Sequence, residues 1–121
     1  MDDFLAQQRE WDERASKAQA AGAQAYSRLL LLAEQSNSAQ AQTAAVFVAS
    51  TYNGQQHRFD LFDLRAVDVA ISDDMLVCLD ALRWGRADLY TLVPDGDARI
   101  QRMCADWGLT TADAQTDADP N

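Results

Sequence analysis

Six aspartates stand between Phe59 and Trp84: Asp60, Asp63, Asp68, Asp73, Asp74 and Asp80. Carboxylates spaced along a helix can cap its start, give oxygens to a divalent cation, or offer negative charge to a basic surface. Asp73 and Asp74, with Asp68 or Asp80, are the set that could surround a cation. Adjacent acids at a helix start are more often features that favour its positive end, and no metal is expected. The single histidine, His57, falls in a polar connector with no neighbouring Cys or Ser to form a recognisable nucleophile and base pair. There is no Gly-rich phosphate loop, no HExxH and no CxxC. The chain therefore reads as non-enzymatic, with no catalytic residue and no cofactor.

The acids sit on an apolar pattern. At about 100° per residue, Leu64, Val67, Ile71, Met75, Cys78 and Leu82 fall on one face, which predicts a central helix around which the other elements pack. Asp60 is placed as an N-cap, with Asp63 where a capping-box acid sits, and a short first turn over 61–65 follows. From there the pattern allows either a continuous helix to Trp84 or a break at Ser72, where Ser-Asp-Asp-Met offers a second cap. On a continuous helix Asp68 lies inside the apolar arc and needs a partner, which Arg65, Ser72 or Arg28 would supply as a structural ion pair or hydrogen bond. Trp84 points away from the seam, toward a second layer or a contact surface.

The remaining elements follow from similar signals. From Asp2 to about Gln35, Phe4, Trp11, Ala15, Ala18, Gly22, Ala25, Leu29 and Leu32 recur at the spacing of a helix seam, predicting one long helix or two joined near Gly22. Large apolar residues are sparse in its first half. Residues 1–20 thus either project beyond the core with Trp11 exposed, or fold back onto it through Phe4 and Trp11. Residues 36–56 hold no charged side chain and predict a buried helix capped by Ser36 or Ser38. Its inward stripe is Ala41, Ala44, Ala45, Val48 and Tyr52, and Asn53-Gly54 is a left-handed stop. Gly85 ends the central element, and residues 87–93 form a short helix or extended run. Pro94-Asp95-Gly96-Asp97 is turn chemistry leading to a last helix that buries Ile100, Met103, Cys104 and Trp107. From Thr110 onward the sequence reads as a disordered acidic tail.

These elements define an all-α fold: a compact bundle of four to five helices with a long N-terminal helix, one domain over residues 1–109 and a tail over 110–121. At 121 residues, 48% apolar, the chain can bury one core without staples. Cys78 and Cys104 match no zinc spacing and read as reduced thiols. The acidic N-terminus lacks a signal-peptide pattern and no stretch is long enough for a membrane span, so the expectation is a cytoplasmic chain with no membrane contact. A net charge of −9 disfavours direct binding of nucleic acid.

The span from Tyr26 to Leu109 resembles a family of small uncharacterised domains found on plasmids and integrative elements of proteobacteria. The words that carry the resemblance are Arg28-Leu29-Leu30, Phe59-Asp60-Leu61, Asp63-Leu64, Val67-Asp68, Ile71 with Asp73-Asp74-Met75, and Trp107. It implies a mobile-element origin and no particular activity. Two functions from different classes are expected. One is a protein-binding module that engages a basic protein surface through Asp73, Asp80 and Asp88, with Trp84 and Trp11 as contact aromatics. Its special case is an inhibitor of a host nuclease or CRISPR-type complex that imitates nucleic-acid phosphates. The other is a structural or regulatory homodimer held through the seam of the N-terminal helix.

Overall fold

A computed structural model describes residues 2–109, and the predicted tail lies outside them. The described residues form four α-helices and two 3-10 turns with no strand. In chain order these are α1 (Asp2–Gln35), α2 (Ala39–Tyr52), a first 3-10 turn (Leu61–Arg65), α3 (Val69–Trp84), a second 3-10 turn (Leu89–Leu92) and α4 (Gly96–Asp106). This is the all-α bundle that the periodicity predicts.

The organising element is α1 rather than the central helix that the seam pointed to. It packs on α3, α2, α4 and the second 3-10 turn, and its second half supplies Ala25, Tyr26, Leu29, Leu30 and Ala33 to the core. It runs antiparallel to α3, since Arg28 meets Asp74 near one end and Asp12 meets Arg86 near the other. Between those points the two helices come unusually close. A Cβ built on Gly22 would lie 2.6 Å from the Cβ of Ala81, so only glycine fits opposite that alanine. Cys78 faces the same crossing, its thiol 4.0 Å from the Gly22 carbonyl oxygen.

Tyr26 is the largest fully buried side chain, and its hydroxyl is satisfied by Thr51 at 2.9 Å on α2. That bond ties α1 to the uncharged helix. The helix is placed as its sequence implies, with Ala41, Ala44, Ala45 and Val48 all fully buried. Ser38 is the N-cap, its side chain accepting from the Ala41 amide at 3.1 Å. The stop at Asn53-Gly54 differs from expectation. Asn53 is extended at φ −149°, and Gly54 is not among the residues with positive φ. The chain leaves instead through an Asn53 side chain that accepts from the amides of Gln55 and Gln56. Gly85 and Gly108 do adopt the left-handed geometry, at φ 65° and 72°.

The stretch from Phe59 to Trp84 breaks where neither alternative placed it. Asp60 caps the first 3-10 turn, accepting from the Phe62 amide at 3.0 Å. Asp63 completes no capping box among the described residues; its backbone amide bonds to the Asp60 carbonyl instead. The break then falls at residues 66–68, one turn before Ser72, and Gln40 of α2 supplies the reason. Its side-chain oxygen accepts from the Asp68 amide at 2.6 Å and its amide donates to the Asp68 carboxylate at 3.3 Å. With its N–H taken by Gln40, Asp68 has no place inside a helix and becomes the N-cap residue of α3. It is exposed and held by an amide, so the ion pair expected for it does not form; Arg28 binds Asp74 instead.

That break turns the apolar arc. Leu64, Val67 and Ile71 are only partly buried, and Leu82 is 45% exposed, because the close crossing with Gly22 requires Ala81 to face α1. Met75 and Cys78 remain fully buried as expected. In α4, Ile100, Met103 and Cys104 are buried, while Trp107 is half-buried and donates its indole N–H to the Ala33 carbonyl at 2.8 Å. That carbonyl lies in the last turn of α1, where helical oxygens lack partners within the helix. Arg99 anchors the same end through two bonds to Glu34, at 2.7 and 3.0 Å.

The close crossing generates a stability prediction. In an exposed helix Gly→Ala gains up to about 1 kcal/mol of propensity. At position 22 the added methyl must push α1 and α3 apart, and overpacking of this kind costs about 1–3 kcal/mol. Gly22→Ala is therefore expected to lower the midpoint of urea unfolding, and an unchanged or higher midpoint would show that the crossing is slack.

Candidate functional site

The expected partner residues do not form one cluster. Asp73, Asp80 and Trp84 share a face of α3 with Val69 and Leu76, at i, i+4, i+7, i+11 and i+15 counted from Val69. Asp88 lies beyond that helix, at the N-cap of the second 3-10 turn, and Trp11 is on α1, 43% exposed. The α3 face is the most distinctive of these. Val69 is 73% exposed and Leu76 53%, with Asp73 exposed between them. Asp80 pairs with Arg83 at 2.6 Å, while Asp73 and Asp88 form no ion pair among the described residues. Alternating apolar and acidic side chains on one exposed helix face can contact a surface that is itself mixed apolar and basic.

The α3 face borders an open groove of about 480 Å³ between α1 and α3. Its floor is Ala18, Ala21, Leu76 and Val77. Arg14 and Lys17 line it from α1, and Asp80 and Trp84 from α3. The position of Trp84 is explained by cations: the guanidinium groups of Arg14 and Arg83 lie 5.4 and 5.1 Å from its ring centre. Beside it, Arg86 reaches Asp12 at 2.8 Å. These contacts fix the middle of α1 on the end of α3.

A second groove, of about 450 Å³, has no counterpart in the sequence reading. It places His57 and Arg58 against Phe47, Phe59, Leu79 and Leu82, with Phe47 and Phe59 in edge-to-face contact at 5.2 Å. The polar connector is thus the mouth of an apolar groove. Phe59 at the start of the central stretch was the available sign, since an aromatic following a polar run must cover something.

The thiols are structural in character. Both cysteines are free and buried, and burial pushes the Cys78 thiol up to about 12, with the neighbouring Asp74 acting in the same direction. Burial also raises Cys104. Neither is activated as a thiolate nucleophile would be. Among the described residues no group of three or more His, Cys, Asp or Glu side chains could hold a metal ion, and no helix is long and apolar enough to cross a membrane.

A small helical bundle with open grooves and an acidic, partly apolar helix face defines the class to which comparison with known proteins adds a family. Residues 23–108 match the model of a family of unknown function (DUF7673), and the chain belongs to that family. No curated protein and no solved structure matches the chain. Membership agrees with the resemblance of this span to an uncharacterised domain. The match begins immediately after Gly22, so the first half of α1 lies outside it.

The buried thiol has a measurable consequence. Cys78 ionises near 9 when unfolded and near 12 when folded, so above pH 9 the unfolded chain releases a proton that the native chain keeps. Its contribution to stability is complete below pH 9 and is lost progressively as pH rises toward 12. Buried Tyr26 is also raised by burial and adds a decline that starts about one unit higher. Denaturation at several pH values is expected to show stability falling from pH 9 upward, with the earliest part of the fall shallower in Cys78→Ala, where only Cys104 still contributes it. The same slope in both proteins would refute the assignment.

Proposed function

We propose that the chain is a non-enzymatic acidic module that binds a basic protein surface, with the exposed face of α3 as its contact. The observation that carries this reading is the arrangement of Val69, Asp73, Leu76 and Asp80: two large apolar side chains left in solvent, flanked by carboxylates. Exposed apolar groups of this kind hold a complex once formed, while unpaired acids such as Asp73 and Asp88 speed the encounter. The net charge of −9 extends that attraction beyond the contact. The buried, protonated thiols support binding over nucleophilic chemistry.

The finer reading is an inhibitor encoded by a mobile element that occupies the nucleic-acid groove of a host nuclease or CRISPR-type surveillance complex. Its support is the resemblance of Tyr26–Leu109 to domains from plasmids and integrative elements, together with carboxylates that can stand in for phosphates. It places the protein in the cytoplasm of a bacterial host.

The test uses bacterial lysate proteins retained on heparin, a fraction enriched in phosphate-binding surfaces. The immobilised chain is expected to capture a protein from this fraction, with affinity falling steeply as salt rises. Changing Asp73, Asp80 and Asp88 together to Asn is expected to slow association and flatten the salt dependence, and Leu76→Lys to speed dissociation. Addition of the chain to the captured nuclease should block its cleavage of DNA. Capture indifferent to salt and to all four changes would overturn the reading.

A further inference from the structure

The core-facing stripe of α1 continues past the end of the bundle. Ala15, Ala18, Gly22, Ala25 and Leu29 lie on this stripe and are buried, yet Phe4 and Trp11, on the same stripe, are 64% and 43% exposed. The part beyond the Asp12–Arg86 contact, residues 3–11, projects for about 13 Å at 1.5 Å per residue. It ends beside the groove that Arg14 and Lys17 line over the small side chains of Ala18 and Ala21.

The charges beside this stripe are ordered. At about 100° per residue, Asp3, Glu10, Arg14 and Lys17 fall within about 60° of arc, on the flank next to Phe4, Gln7, Trp11 and Ala18. Reading along the helix, that flank runs acid, acid, base, base. Two parallel copies would set this flank against the partner's opposite flank, where Gln8, Asp12 and Gln19 offer no base to its acids. Two antiparallel copies place the acids of each against the bases of the other, and the two-fold axis makes every such contact occur twice.

From this geometry we infer that a second copy of the chain docks antiparallel on the first half of α1. In that pairing Phe4 of each copy enters the groove of the other over Ala18 and Ala21, where the small floor leaves room for a ring. Trp11 is covered by the partner helix, and Glu10 and Asp3 face the partner subunit's Lys17. Asp80 also borders the groove, and Arg83, 2.6 Å away, offsets part of its repulsion of the entering acids. The groove shares Leu76 and Asp80 with the α3 face, but the pairing is argued from the α1 stripe and its charges, and it stands whether or not that face binds a basic partner.

The experiment is sedimentation of the full chain over a concentration series, with circular dichroism to confirm that each variant stays helical. The wild type is expected to form a dimer as concentration rises. Phe4→Asp combined with Trp11→Ala should stay monomeric at every concentration, and both positions are exposed, so the fold should survive. Glu10→Lys sets two lysines against each other and Lys17→Glu sets two glutamates, so each variant alone should dimerise at least about tenfold more weakly. Mixing the two restores opposite charges at both contacts and should return dimerisation toward the wild-type level. A wild type that is monomeric throughout would overturn the inference. So would a dimer that survives the Phe4 and Trp11 changes, or a mixture no tighter than its separate components.

Discussion

The close crossing of α1 and α3 at Gly22 and Ala81 is the constraint on which the rest depends. A core built largely from alanine offers little side-chain surface, so it can gain dispersion energy only if the helix backbones approach closely. Gly22 makes that approach at one point, and the buried alanines on either side of it, Ala18 and Ala25, extend it along α1. Because Ala81 must face Gly22, α3 is rotated so that Leu82 turns to solvent and Val69 and Leu76 come to lie on an open face. The surface proposed to bind a partner is thus a consequence of how the core is closed.

Much of the bundle was legible in the sequence because its signals are local. Ser38 at the start of α2, the glycines after α3 and α4, and the uncharged run that becomes the buried α2 each act through their own neighbourhood. The misread region, residues 60–72, is governed by a residue far away in the chain. Gln40 reads as an ordinary surface position of an Ala- and Gln-rich helix, and nothing in its own window indicates that its side chain will take the Asp68 amide. A helical period computed across residues 64–82 assumes an unbroken backbone, and one long-range hydrogen bond removes that assumption. The errors at Asp68, Leu64 and Val67 share this cause, while that at Leu82, within unbroken α3, belongs to the crossing of Ala81 with Gly22.

The candidate surfaces were legible to a different degree. The exposure of Asp73 and Asp88 and the place of Trp84 off the core-facing side of α3 were legible, and Trp11 takes the exposed one of its two placements. Their grouping was not, because sequence spacing gives the angle around a helix but not which angle a neighbouring helix will cover. The alternation Val69, Asp73, Leu76, Asp80 has the same spacing as a buried stripe. Only the packing of α1 on the opposite side shows that it is open. The groove at His57 was hidden for a related reason: its walls come from three separate segments, and a polar connector carries no periodicity that could reveal them.

The acid surplus takes its meaning from where the cations go. Arg28, Arg83, Arg86 and Arg99 each pair with a carboxylate, and Arg14 and Arg65 lie over the rings of Trp84 and Phe62. The four paired arginines hold elements together with their charges offset by a carboxylate, while Arg14 and Arg65 shield rings and keep theirs. The acids left over are distributed across the surface instead of gathered in a cage, so their field is broad and shallow. Such a field acts on an approaching basic surface within about one Debye length, roughly 8–10 Å. It cannot by itself fix an orientation. Orientation has to come from short-range contacts, and among the described residues the exposed apolar groups that could supply them concentrate on α1, on α3 and around the first 3-10 turn, next to the grooves. In the proposed complex, long-range attraction and local fit therefore fall to different residue types, and a change in one can be made without disturbing the other.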